Sequence, residues 1–492
     1  MPRNWVFFEG VNYEETVYNS DELPAIRGAS YALLMAPEVF ATRLKTIRQL
    51  EFSSSLLCEV EATEEDIKEV FFDFCANPDT NDEDLDETLK SLCFSYGIVG
   101  CSGDEEKFAA EYVAVRNASQ RNRFRLNGAR RPSEKKRKSL GSVNNRGKYY
   151  KTLGINFSGS SPEFPQNFKN ILETKPDWVP EKFRHKMAVL EFDADRLGGK
   201  LPLDNFEIFS AASERQHVHM QVLLQELFDL LNTGERLELE TLLYAGDEGI
   251  LIFPVWRLQD VMNVVADHLT GKDAMSSYSV GLVICGVKAP ILGIRRLTQK
   301  LLNNCKKFHE NDYSDTYNGI SFLQYLVTGG MDVPGGSIEN YRTRILEVVS
   351  FDQPVVFSLQ LSKLNAAFDL IREKKTRRAG EAAISRSRIK EAINVFRKLG
   401  VLTKSWSDWS DFTDWVKKNN HEGNSLDGVV AVALELAGTE TDPSPLVPTT
   451  ASGLSPIILA PLLHSEALMA FLPDAAVGVS EGPDATVGRV DV

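Results

Sequence analysis

The chain has 492 residues, 43% of them hydrophobic and 25% charged, with a net charge of −14. That length asks for two to four domains, and the apolar content is that of a folded protein, not a fibrous or unstructured one. Six cysteines (Cys58, Cys75, Cys93, Cys101, Cys285 and Cys305) form no CxxC pair and no zinc spacing, and read as apolar thiols in a reducing compartment. The N-terminus lacks the order of a secretory signal. The longest apolar stretch, 458–472, is broken by Pro461, His464 and Glu466. The expectation is a cytoplasmic protein with no membrane partner.

Residues 1–115 alternate short apolar runs with amphipathic ones: a strand at 5–8, a helix over 23–35, a strand over 54–60, then a helix opened by the capping signature Thr63-Glu64-Glu65-Asp66. Residues 116–185 read as a connection. Within 116–151 thirteen Lys or Arg stand against one acid, Glu134, a charge of +12 on an otherwise acidic chain. Such a stripe fits either a solvated linker or contact with a polyanion, with Arg121, Arg123, Arg125, Arg130, Arg131, Lys135, Lys136, Arg137 and Lys138 as the contact residues.

From 186 the pattern sharpens. A strand at 187–191 runs into Phe192-Asp193-Ala194-Asp195, and 212–232 has helical periodicity. Strands at 237–244 and 250–253 are separated only by Ala245-Gly246-Asp247-Glu248-Gly249, a hairpin with acids at its tip. An amphipathic segment at 257–269, a strand at 278–285 and a helix over 291–308 complete a βαββαβ order, the ferredoxin-like motif. The fold class expected is therefore α+β, with an α+β sandwich over 1–115 and a ferredoxin-like domain at 186–330. A helical module at 331–437 follows, with helices near 356–372, 381–399 and 410–436. Residues 438–492 hold seven acids and one Arg and read as a flexible tail.

In a ferredoxin-like sheet the first strand lies beside the hairpin, so Asp193 would face Asp247 and Glu248. Three converging carboxylates repel one another unless cations lie between them. Two magnesium or manganese ions so held would activate a hydroxyl and polarise a phosphate, the two-metal logic of phosphoryl transfer. Asp195, two residues on, falls on the same strand face and is either a further ligand or turned to nucleotide or solvent. Gly246 suits the turn beside Ala245, and Gly198, with Lys200 or Lys288, suits a triphosphate.

These residues resemble a known family. Residues 187–201, 243–256 and 278–307 look like the second palm of the large subunit of type III CRISPR-Cas effector complexes, closest to the type III-B branch. Residues 21–30 more weakly resemble its first, non-catalytic palm, so the resemblance implies two ferredoxin-like palm domains, at 1–115 and 186–330. The resemblance implies cyclic oligoadenylate synthesis from ATP, partner subunits, a guide RNA and a target RNA. The hairpin departs from the family's Gly-Gly-Asp-Asp. No His-Asp dipeptide occurs, so the family's optional nuclease motif is absent, and no zinc-binding cysteine cluster stands between the palms; both imply a reduced member. Two other readings stand beside this one: a palm-fold scaffold with a decayed site, and a diguanylate cyclase, since Ala-Gly-Asp-Glu-Gly also resembles Gly-Gly-Asp-Glu-Phe. His217 and His219 point about 200° apart on a helix and cannot share a metal. Trp406, Trp409, Phe412 and Trp415 read as a packing face.

Overall fold

The computed structural model describes residues 1–11, 17, 20, 22–52, 54–123, 134–157, 161–173, 175–177, 179, 181–309, 319–327 and 358–375. The chain forms two compact units, and both sheets lie in the first, which comprises residues 1–174, 185–347 and 352–364. The helices expected at 381–399 and 410–436, the tryptophan face and the tail lie outside the described residues.

The first sheet has the order β2-β3-β1-β4, with β1 Arg3–Val11, β2 Thr46–Phe52, β3 Ser55–Glu61 and β4 Cys93–Gly100. The central strand β1 is buried almost throughout, as its run Trp5-Val6-Phe7-Phe8 requires. Phe8 stacks on Phe40 and Phe94, at centroid distances of 4.5 and 5.1 Å. Helix α1 (Leu23–Ala41) carries Phe40, and α2 (Glu64–Ala76) adds Phe71 and Phe74 to the same cluster. The capping signature works as read: Thr63 Oγ1 accepts from the Asp66 N–H, and the Thr63 N–H donates to Asp66 Oδ2, each at 3.2 Å.

The stretch 116–185, expected as a connection, is instead largely helical where described. After α3 (Glu83–Leu89), α4 (Phe108–Arg123) packs on β1 and β4 and runs past the boundary placed at 115. Two further helices follow, α5 (Glu134–Leu140) and α6 (Val143–Thr152). Helix α5 lies on α1 at backbone contact: a Cβ on Gly28 would stand 2.1 Å from the Arg137 carbonyl oxygen, so only glycine fits there.

The second sheet has the order β10-β9-β8-β5-β7-β6. Its strands β5 (Lys186–Ala194), β6 (Glu240–Ala245), β7 (Glu248–Pro254) and β8 (Tyr278–Gly286) keep the ferredoxin-like arrangement, with α7 (Phe206–Leu231) and α8 (Leu258–Thr270) between them. After α9 (Ile291–Lys306), β9 (Phe322–Val327) pairs parallel with β8, and β10 (Ser358–Gln360) pairs with β9. The helix expected over 356–372 thus opens as a strand, and helix α10 covers Leu364–Lys375. All six cysteines are free, four of them buried.

One ionic cluster ties the two sheets together. Glu240 on β6 is fully buried; Arg146 Nη2 of α6 donates to its Oε1 at 2.7 Å, and Arg27 of α1 pairs with its Oε2. Arg27 also donates to the Pro165 carbonyl at 2.7 Å. The β6 register slips between Thr241 and Leu243, and the carbonyl of the intervening Leu242 accepts the Ser30 hydroxyl of α1 at 2.6 Å. Removing the carboxylate leaves two guanidiniums buried against each other, so Glu240→Gln is expected to cost about 3–5 kcal/mol. Urea denaturation of the full chain measures this; an unchanged midpoint would show that the triad does not stabilise the docked pair.

Candidate active site

The register of β5 decides which acids meet. Asp193 pairs with Glu248 on β7 and with Ser279 on β8. Alternation places Glu191, Asp193 and Glu248 on one face of the sheet, the face covered by α9, where Thr298 Oγ1 donates to Glu191 Oε2 at 2.9 Å. Phe192 points the other way, against Tyr244 and Tyr278.

The hairpin closes through Gly246 and Asp247, with Ala245 paired to Glu248 across it. Gly246 sits at φ +61° and Asp247 does not share the left-handed region, the order of a type II′ turn with glycine first. Burial pushes the Asp247 carboxyl up to about 6, opposed by the Arg116 guanidinium. Glu248 is partly exposed as a residue, yet the sheet and α9 desolvate its carboxyl. Desolvation, then the charges of Asp247 and Glu191, push it up to about 8, against the pull of Arg295. Lys306, at the end of α9, forms an ion pair with Asp193.

The acids therefore do not converge as a set of four. Asp195 is buried elsewhere: Ser279 Oγ donates to its Oδ1 at 2.6 Å, and His309 Nε2 lies 3.0 Å from its Oδ2. Burial moves Asp195 up to about 7 and His309 down to about 4, so between those values a protonated carboxyl faces a neutral imidazole. Asp195 belongs to this network and not to the acid pair, which corrects its expected place among the metal ligands. Among the described residues no three His, Cys, Asp or Glu side chains are grouped to hold a metal ion. The pair Asp193 and Glu248 nonetheless offers oxygen donors only. Magnesium is commonly held by one or two carboxylates with substrate phosphates completing the shell, so the donor set fits a substrate-completed site from which Lys306 has withdrawn.

Gly198 and Lys200 lie in a single helical turn, Leu197–Lys200, just beyond β5, and Arg196 before it adopts a left-handed φ of 59°. Lys200 Nζ donates to Ser276 Oγ at 2.8 Å. Lys288 is misplaced by the sequence reading. It follows the far end of β8, where Gly286 pairs with Lys186, seven register positions from Asp193, or about 23 Å at ~3.3 Å per residue. It cannot share a nucleotide with the hairpin. Of the residues assigned to RNA, Arg137 is fully buried and donates to Ser91 Oγ at 2.8 Å, so it is part of the α5 packing and not a surface contact. Lys136 pairs with Glu83 and Asp84, and Lys138 with Glu22. Arg121 and Lys135 are exposed; Arg123 ends α4, and Arg125, Arg130 and Arg131 lie outside the described residues. Sequence reasoning missed Glu191, Arg295, Lys306 and Arg116. Only Glu191 carried a signal, its period-two spacing from Asp193.

The first sheet repeats the register with other chemistry. Glu9 pairs with Ser55 and Ser95, where Asp193 pairs with Glu248 and Ser279. Ser119 Oγ donates to the Glu9 carboxylate at 2.9 Å, and no second acid stands opposite.

No protein-family model and no curated protein matches this chain. Solved structures do. Crystal structures of a Csm1-Csm4 cassette in complex with cA4 and with AMPPNP align with TM-scores of 0.53 and 0.51, each at 12% identity. The alignments cover 95% and 94% of this chain and 70% of each of those. The apo cassette aligns at 0.52. What is shared at that identity is the fold, an α+β arrangement with two palm-like sheets. Among the described residues no helix is long and apolar enough to cross a membrane.

The raised carboxyl also makes a stability statement. Glu248 holds its proton up to about pH 8 in the folded chain, against an ordinary value of 4.5, so folding stability falls as pH rises through that window. In chelator-treated buffer the melting temperature of Glu248→Gln should therefore exceed that of the parent by a margin that widens from pH 5 to pH 8. A margin that stays constant or shrinks would contradict the assignment.

Proposed function

We propose that this chain is the large palm subunit of a type III RNA-guided defence complex, of the III-B kind its residues resemble, and that its second palm joins ATP into cyclic oligoadenylate. The observation that supports this most is the acid pair of Asp193 and Glu248 on the two central strands of one sheet, with no counterpart at the same register of the other.

Asp193 and Glu248 would hold magnesium or manganese together with the nucleotide's phosphates. Such an ion neutralises phosphate charge and acidifies an attacking hydroxyl. The chain's own residues prepare that place. Glu191 and Asp247 raise the negative potential around Glu248, so a cation is favoured there over two protons. Lys306 supplies the compensating charge when no ion is bound. Gly246 keeps the hairpin tip free of a side chain, and the positive charge of Arg116 favours the ionised form of Asp247. Arg121 and Lys135 offer exposed positive charge for guide or target RNA, and partner subunits complete the assembly.

A second reading has its own support. The ammonium of Lys306 already sits on Asp193, and Ala245 and Glu248 replace residues of the family hairpin. On that reading the palm is a scaffold for RNA and neighbouring subunits. The experiment incubates the purified complex with ATP or GTP, magnesium or manganese, and target RNA, and identifies products by mass. The catalytic reading expects cyclic oligoadenylate, lost at least 100-fold in Asp193→Asn with assembly intact. No product from the parent, with equal antiviral protection by both proteins, would leave the scaffold. Cyclic dinucleotide from GTP would indicate the diguanylate class.

A further inference from the structure

Two histidines that the acid site does not use meet on the other face of the second sheet. Helix α7 lies on the side of Phe192 and Tyr278, where Gln216 Nε2 donates to the Tyr278 hydroxyl at 2.7 Å. The sheet therefore separates α7 from the acids that α9 covers. His219 of α7 cannot share an ion with His217, two residues back on the same helix. It stands instead against His268 of α8, with ring centres 5.5 Å apart and planes tilted by 54°. Two imidazoles on one tetrahedral ion, each nitrogen at ~2.0 Å, hold their ring centres roughly 5–6 Å apart.

Each ring has one nitrogen to spare. His268 Nε2 lies 2.7 Å from Glu226 Oε2; a carboxylate only accepts, so Nε2 carries the proton and the lone pair falls on Nδ1. His219 Nε2 is buried without a hydrogen-bond partner, while the backbone of His268 holds the ring by a hydrogen bond. An ordinary surface pair accounts for His268 and Glu226, but not for a buried imidazole nitrogen left unpaired. A carboxylate behind one ring and a backbone group behind the other is the support that orients metal-binding histidines. Among the described residues no third His, Cys, Asp or Glu side chain joins the two. A groove of about 1030 Å³, lined by Val218 and Val222 of α7 and by Gly271 after α8, gives water access to the place.

We infer that His219 and His268 bind one divalent transition-metal ion of the zinc, copper or nickel class, through Nε2 and Nδ1 respectively. Glu226 orients His268 and raises its basicity, and water fills the remaining positions. Two imidazole donors select such ions over magnesium, which the oxygen-only pair of Asp193 and Glu248 suits. The second palm then carries two metal sites of different chemistry on opposite faces of one sheet. The histidine site stands or falls independently of any nucleotide chemistry at the acids.

The full chain, stripped with chelator, is titrated with zinc in excess magnesium, which occupies carboxylate sites. Copper(II) replaces zinc in a second series, because its spin-resonance spectrum reports each bound imidazole nitrogen. The parent should take up one zinc ion per chain and show coupling to two nitrogens. His219→Phe and His268→Phe should each weaken zinc at least about 10-fold and leave coupling to one nitrogen at most. Glu226→Gln should weaken it about 10- to 100-fold. His217→Gln, which removes the imidazole bonded to Gln221, should leave zinc affinity unchanged. Melting temperatures in chelator establish that each variant is folded, and Glu226 is exposed enough that its substitution keeps the test open if a phenylalanine variant is not. A parent that binds no zinc overturns the inference, as does equal binding by the parent and both phenylalanine variants. So does unchanged affinity in Glu226→Gln, or a parent spectrum with fewer than two nitrogens.

Discussion

Two buried guanidiniums share one buried carboxylate, and the placement of everything else follows from that. Glu240 could not be stable in the interior of β6 without Arg27 and Arg146, and neither arginine could be buried without it. The arginines come from α1 and α6 and the glutamate from the second sheet, so the ionic requirement can be met only when the sheets are docked. Apolar packing alone would tolerate sliding between the two halves. Three charges with fixed partners, together with Ser30 on the Leu242 carbonyl, set one register. The hairpin lies at the end of that same strand, so its acids are aimed by the docking.

The two sheets show how one backbone register supports opposite electrostatics. At the position of Asp193 the first sheet has Glu9, satisfied by serine hydroxyls and facing Ser55. That carboxylate is hydrogen-bonded internally. In the second sheet a carboxylate faces Asp193, a third lies two residues back along β5, and a fourth sits in the turn. Hydroxyls that would quench the charge are spent on Glu191 and Asp195 instead. A cluster of this kind weakens the fold, and the chain places three cations around it: Arg295 and Lys306 from α9 and Arg116 from the first palm. Only the first two belong to the same palm as the acids.

Most elements of both palms were legible in the sequence. The run Trp5-Val6-Phe7-Phe8, the capping box at Thr63, the strand before Asp193 and the acid-tipped hairpin each carry a local signal, and each lies where that signal placed it. The basic stretch was misread because composition does not reveal pairing. Arg137 and Arg146 look like surface charge among thirteen Lys and Arg residues, and become interior residues only because Ser91 and Glu240 wait for them across long sequence distances. The edge strands β2, β4 and β10, and β9 beside β10, were missed for a related reason, since such a strand takes its identity from the neighbours it pairs with.

The sequence by itself determined the acid-tipped hairpin and the order of elements around it, because turn chemistry and strand alternation act within a few residues. Which acids meet was decided by the tertiary structure. The β5 register set Asp193 beside Glu248 and sent Asp195 to His309, and the direction of β8 carried Lys288 to the far end of the sheet. The docking of the palms brought Arg116 to Gly198 across more than eighty residues of chain. Charges act through space at a few ångströms, and the chain order carries no measure of that distance until the sheets have closed on each other.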